Sequence, residues 1–161
     1  MPNGVPTFNS PLETGVRALI ILAEAYPQGL DLQRILEYDY MMVHTGDFEN
    51  GPTSIHPALP LRSGELLVRR ELIDRGLMLM ISRALVAREA TSEGFTYRAE
   101  DDAAPFLDSL TTEYIDDLRN RAAWVVKRFG TTSDREIRVL LNQIYDQWSR
   151  EFQIPEQPGL F

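Results

Sequence analysis

The sharpest break in the helical patterning of this chain is one short stretch. Residues 85–90 lead into Thr91-Ser92-Glu93-Gly94 and return through Phe95-Thr96-Tyr97-Arg98-Ala99, where Phe95, Tyr97 and Ala99 alternate with Thr96 and Arg98. Alternation of period two beside a glycine predicts a β-hairpin turned at Gly94. A lone two-stranded hairpin is at best marginally stable in water, so it must lie on helices. The chain therefore reads as mainly α with a small β-hairpin. Its 161 residues suffice for one core without a disulfide or a structural metal.

Helix signals precede the hairpin. Ser10-Pro11-Leu12-Glu13 sets an N-cap serine before a first-turn proline, with a glutamate three residues after the cap, which satisfies the orphan amides reciprocally. This helix is expected to reach about residue 26, and Ile21 and Leu22 widen its apolar face until most sides need cover. Asp31 caps a second helix over 32–44, with Leu32, Ile35, Leu36, Met42 and Val43 inward. Residues 45–62 hold Gly46, Gly51, Pro52, Pro57 and Pro60 and are expected to form a long loop. Loops of that length in a compact domain are functional or tied down. Ser63 caps a third helix over 64–84, in which Gly76 is expected to mark a bend or a break. Asp101 or Asp102 starts a short helix through Leu110. Helix, helix, long helix and hairpin is the order of a winged helix-turn-helix domain, which residues 10–110 resemble, with Arg83-Ala84-Leu85-Val86-Ala87-Arg88 at the helix-to-wing junction.

Residues 111–153 differ. Ile115, Leu118, Ala122, Val125 and Phe129 recur at spacings of three and four, and Gly130 ends that helix. Ser133-Asp134-Arg135-Glu136 opens another, carrying Ile137, Leu141, Ile144 and Trp148 at the same spacings. A C-terminal antiparallel helical hairpin packed on the winged-helix-like domain (1–110) is expected, with 154–161 as an extended tail. Trp124, Val126, Leu140 and Tyr145 stand off that seam, covered either by the core or by a partner.

Cysteine is absent, which removes disulfides, thiolate metal sites and cysteine nucleophiles together. No nucleophile elbow, phosphate loop, dinucleotide fingerprint or H-E-x-x-H motif occurs. The acid pairs at 101–102 and 116–117 fall at helix starts, where they complement the helix dipole. His44 and His56 border the long loop with Asp47 and Glu49 between them, but their spacing matches no metal motif. The expectation is therefore no enzyme, no metal and no cofactor, with the histidines hydrogen-bonding the loop backbone to pin it. No secretory signal is read at Met1-Pro2-Asn3-Gly4 and no apolar run could cross a membrane, so a cytoplasmic protein is expected.

Net charge is −8, yet residues 62–98 hold seven arginines against five acids. A DNA-binding winged helix would draw on Arg69, Arg70, Arg75, Arg83, Arg88 and Arg98. Against that reading, Leu77-Met78-Leu79-Met80-Ile81 leaves few polar groups for base edges, and Glu93 puts negative charge at the wing tip. Arginines alternating with acids favour a protein-docking module instead.

Five strings resemble the middle-component proteins of ABC-three-component systems over about residues 8–130: Phe8-Asn9-Ser10-Pro11-Leu12-Glu13-Thr14-Gly15, Leu30-Asp31-Leu32-Gln33-Arg34, Val43-His44-Thr45-Gly46-Asp47, Ser54-Ile55-His56-Pro57-Ala58-Leu59-Pro60 and Glu65-Leu66-Leu67-Val68-Arg69-Arg70. The resemblance implies an accessory subunit without catalysis. It would bind an SMC- or Rad50-like ABC ATPase and link it to an effector, as in Lamassu-type antiphage and antiplasmid defence, reaching DNA only through the complex. The strings make His44, Asp47, His56, Arg62, Arg69 and Arg70 the first candidates for partner contact or for fixing the fold. Asp47 as an Asx turn and Arg62 paired with a helix acid are the structural alternatives. Trp124 and Tyr145 are added as candidate partner-binding residues.

Overall fold

A computed structural model describes residues 10–56 and 63–152. The expectations for Arg62 and for the tail 154–161 lie outside the described residues, as does the side chain of Trp148. The order is α1 (Pro11–Ala25), α2 (Leu32–Val43), a 3₁₀ turn (Thr45–Asp47), α3 (Ser63–Ser82), β1 (Val86–Thr91), β2 (Gly94–Ala99), α4 (Ala103–Asp108), α5 (Glu113–Phe129) and α6 (Asp134–Phe152). The fold is thus mainly helical with one antiparallel hairpin.

The starts of the helices follow the sequence closely. The Ser10 hydroxyl accepts from the Glu13 amide at 3.1 Å, and the Asp31 carboxylate accepts from the Arg34 amide at 2.8 Å. Thr112 caps α5 and Ser133 caps α6 in the same way. No side-chain cap opens the short α4 at Asp102.

The hairpin pairs Val86 with Ala99 through to Thr91 with Gly94, and Gly94 sits at φ 125°. A residue there without a Cβ escapes the steric cost that positive φ imposes on other residues. Leu30, between α1 and α2, adds a single bridge to β2: its amide and carbonyl both bond Tyr97, at 2.9 and 2.8 Å. The hairpin is thereby sewn to the helices through β2.

At the centre α1 lies between α3 and α5, and α2 packs on α5 as well. Leu19, Ile20, Ile21 and Leu22 of α1 are buried together with Ile35, Met41, Met42 and Val43 of α2 and Ile73 and Leu77 of α3. The same core takes in Leu118, Val125 and Phe129 of α5 and Ile137, Leu141 and Ile144 of α6. The two C-terminal seams therefore face inward as their spacing required.

Gly76 corrects one expectation. α3 runs through it unbroken, and its role is contact with α1. A Cβ at Gly76 would stand 2.6 Å from the Gly15 amide nitrogen and 2.9 Å from the Pro11 carbonyl, and one at Gly15 would stand 2.8 Å from the Gly76 carbonyl. Both obstacles are backbone, so neither can swing aside. The glycines let the two helices touch.

In an uncrowded helix, Gly→Ala gains roughly 1 kcal/mol. Here Gly76→Ala should instead lose about 1–3 kcal/mol, the cost of overpacking. Urea unfolding of the two proteins measures the sign, and a more stable variant would refute the glycine-to-glycine contact.

Candidate functional site

Two charged residues sit where the apolar patterning predicts only core. Arg17 lies in the run Val16–Leu22 of α1, and Asp39 lies between Tyr38 and Tyr40 of α2. Their side chains are 2% and 1% exposed. They meet as a fork: Arg17 Nε donates to Asp39 Oδ1 at 2.7 Å and Nη2 to Oδ2 at 3.2 Å. Arg69 of α3 adds its Nε 3.8 Å from Asp39 Oδ2, and its side chain is 21% exposed. Three helices are thus tied to one carboxylate.

Around this triad sit the two histidines. The His44 ring stands 4.8 Å from the Tyr40 ring and 6.4 Å from that of His56. His56 Nε2 lies 2.9 Å from the Tyr114 hydroxyl of α5, with the two rings parallel. The Tyr40 hydroxyl points to Asp47 at 3.5 Å. Burial raises the Asp39 carboxyl, but the Arg17 and Arg69 guanidiniums override it and hold it below the ordinary value. Burial pushes His44 down to about 3, aided by the charge of Arg69, and His56 down to about 4, aided by that of Arg17. Both rings are neutral at pH 7. Burial also lifts Tyr114 to about 12 and raises Glu13, which stands at the edge of the cluster.

The long loop is closed onto this cluster by its own backbone. The Ile55 and His56 amides both donate to the Val43 carbonyl, at 3.1 and 3.0 Å. Thr45 Oγ1 donates to the Pro52 carbonyl at 2.9 Å, the Gly46 amide donates to Ser54 Oγ at 2.9 Å, and Arg121 Nε donates to the Thr53 carbonyl at 3.0 Å. Phe48 packs edge-on against Phe129. So residues 44–56 are fastened as the loop's length required. His56 contributes through Tyr114, a helix partner that the sequence reading did not foresee.

The sequence candidates divide accordingly. His44, Asp47, His56 and Arg69 converge on the Asp39 cluster. Arg70 lies apart and donates to Gln33 Oε1 at 2.8 Å. Tyr145 is 2% exposed, buried in the core, and Trp124 is half-buried with its ring edge-on to Phe129. Of the six arginines considered for DNA, Arg69 and Arg70 serve these internal contacts, and Arg98 pairs with Glu89 at 2.9 Å and Glu100 at 3.7 Å. Arg75, Arg83 and Arg88 are exposed and make no ion pair among the described residues. The six do not form one cationic face.

Sequence reasoning missed Arg17, Asp39, Arg34 and Tyr114. Arg34 bonds the Tyr38 hydroxyl at 3.1 Å, the Thr132 carbonyl at 3.2 Å and Asp134, and so ties α2 to the start of α6. For Arg17 and Asp39 the available signal was a charge flanked on both sides by apolar residues within a helix, since such groups are rarely buried unless paired; Arg34, after Gln33, and Tyr114, after Glu113, carry no such signal. Among the described residues no group of three or more His, Asp or Glu is placed to hold a metal. No described helix is long and apolar enough to cross a membrane.

The family described as ABC-three component (ABC-3C) system Middle Component 2 matches the chain over residues 7–151. No curated protein and no solved structure matches it significantly.

Removing one partner of a buried pair strands the other charge. Asp39→Asn should cost about 3–5 kcal/mol in urea unfolding, and a loss below 1 kcal/mol would deny the pair its role. A pH series probes the histidines. The unfolded chain protonates both near pH 6.5 and the folded chain does not, so their stabilisation is complete above 6.5 and is lost as pH falls toward 4. Glu13 and Glu37, raised by burial, act in the opposite sense, and Asp39 acts only at lower pH. Stability should fall by about 2–4 kcal/mol from pH 7 to pH 5. The double variant His44→Gln, His56→Gln should lose most of that slope; an unchanged slope would contradict the neutral buried rings.

Proposed function

The chain belongs to the Middle Component 2 family of ABC-three component systems, and on that premise we propose that it is a non-catalytic accessory subunit. It binds the ABC ATPase of its system and links it to the effector. The ATPase in this reading is SMC- or Rad50-like, the effector is a nuclease or another toxic enzyme, and the setting is antiphage or antiplasmid defence of the Lamassu type in the cytoplasm.

The observation that carries this reading is the use of the reactive side chains. Arg17, Asp39, Arg69, His44, His56 and Tyr114 contact one another in the interior. A catalytic acid or base must reach a proton on its substrate. These groups instead hold helices and a loop together, and they keep both histidines in the neutral form that suits a closed interior. Of the six arginines considered for DNA, the three that remain exposed, Arg75, Arg83 and Arg88, stand on α3, at its end and on β1. That placement suits contact with another protein better than readout of a DNA groove, because Asp74, Glu89 and Glu93 lie among them.

Co-expression of the tagged chain with the other two components of its system, followed by purification with and without nuclease, provides the test. The expected result is stoichiometric recovery of the ATPase that survives nuclease digestion. Recovery of nucleic acid alone would replace this reading with that of a winged-helix DNA-binding regulator.

A further inference from the structure

The hairpin has one closed edge and one open edge. Tyr97 uses its backbone amide and carbonyl on Leu30, so its hydrogen-bonding groups point away from β1. Its partner across the hairpin is Arg88, and residues opposite one another in an antiparallel pair share the same bonding state. The amide and carbonyl of Arg88 therefore point outward from β1, as do those of Val86 and Ala90 by the period of two. Among the described residues nothing pairs with this edge. A row of unpaired backbone groups is a template for another strand.

The side chains beside the edge define what fits it. Val86, Tyr97 and Ala99 face the core, and Ala90 and Phe95 continue that face beyond it, where Phe95 is 50% exposed. The Arg88 guanidinium lies 4.4 Å from the centre of the Phe95 ring, and its Nη1 stands 3.8 Å from the sulfur of Met78, itself 45% exposed on α3. Met78 and Phe95 thus offer exposed apolar surface beside β1, and Arg75, Arg83 and Arg88 are exposed cations lacking an ion pair among the described residues. Glu89 points to the opposite face and is held by Arg98.

We infer that β1 is the docking edge for an extended segment of a partner protein, which adds as a third strand and sets its acidic and apolar side chains on the one face it shares with Arg88 and Phe95. Main-chain bonds to Val86, Arg88 and Ala90 supply affinity, while Met78, Phe95 and the arginines select the segment. A second copy of this chain fits poorly. Centred pairing of β1 with itself sets Arg88 against Arg88, and a shift toward the tip sets Glu89 against Glu89. The registers without like charges, centred on Ala87 or on Ala90, overlap at only about three residues, below the usual strand length.

This inference rests on the reading of the chain as a partner-holding subunit, and the experiment separates the two. The full-length chain is purified alone and in complex with the co-expressed components, and backbone amide exchange is followed residue by residue. Arg88 and Ala90 amides should exchange freely in the chain alone and slow by about two orders of magnitude in the complex, while Ala87 and Glu89, bonded to β2, are protected in both. Ala90→Pro removes an outward amide and leaves the β1–β2 ladder intact, so it should reduce recovery of the partner at least about tenfold, as should Arg88→Glu. A complex in which those amides stay unprotected and Ala90→Pro binds normally overturns the strand addition alone. Concentration-dependent protection in the isolated chain overturns it in favour of self-pairing. Failure of the wild-type chain to recover any component overturns both this inference and the function on which it rests.

Discussion

The fork between Arg17 and Asp39 is the contact around which the rest is arranged. Removing either charge from water costs several kcal/mol, and mutual attraction offsets that only where the geometry is good and further donors are present. Here the guanidinium is bidentate, and Arg69 approaches the same carboxylate from α3. Such a pair adds less to net stability than to uniqueness, because α1, α2 and α3 can slide past one another only by separating it. The contact between Gly15 and Gly76 acts in the same sense, since two helices that touch backbone to backbone have one register.

From that centre the polar interior spreads outward in a consistent direction. Burial, with the charges of Arg17 and Arg69 beside it, disfavours a further positive charge, and His44 and His56 are held neutral. A neutral His56 can exchange a hydrogen bond with Tyr114 without a further counter-charge, and so brings the loop to α5. A separate set, in which Arg34 reaches Asp134 and Arg70 reaches Gln33, fastens the other side of α2 to α6 and α3. Arg17, Arg34, Arg69 and Arg70 thereby serve contacts between helices. The preference for arginine over lysine follows, since a rigid fork loses less freedom per bond than a flexible ammonium.

The parts legible in the sequence are those governed by local rules. The caps at Ser10, Asp31 and Ser133, the hairpin at Gly94 and the seam of α5 depend on residues within one turn of one another, and each falls where its pattern placed it. Gly76 was misread because helix propensity is local while its actual constraint is a backbone more than 60 residues away in sequence. His44, Asp47, His56 and Arg69 were found, yet Arg17, Asp39 and Tyr114 were not. His44, Asp47 and His56 sit in or beside an irregular loop that invites a search for tethers, and Arg69 stands in one of the strings that carry the family resemblance. Arg17 and Asp39 are hidden in regular apolar runs, where only three-dimensional pairing explains a charge, and Tyr114 stands in a polar first turn that says nothing of its partner. Tyr145 illustrates the same limit, since an apolar side chain off a seam cannot reveal whether core or partner covers it.

On the proposed function, an interior whose charges hold helices and a loop together leaves the partner contacts of the chain outside the Arg17–Asp39 cluster. The most direct measurement is native mass spectrometry of the complex formed by the double variant Arg17→Met, Asp39→Leu, an apolar exchange that buried ion pairs often tolerate. A folded variant that enters the complex with the same stoichiometry as the wild-type chain is the expected result. A folded variant that no longer assembles would place the cluster itself in partner recognition and contradict the account.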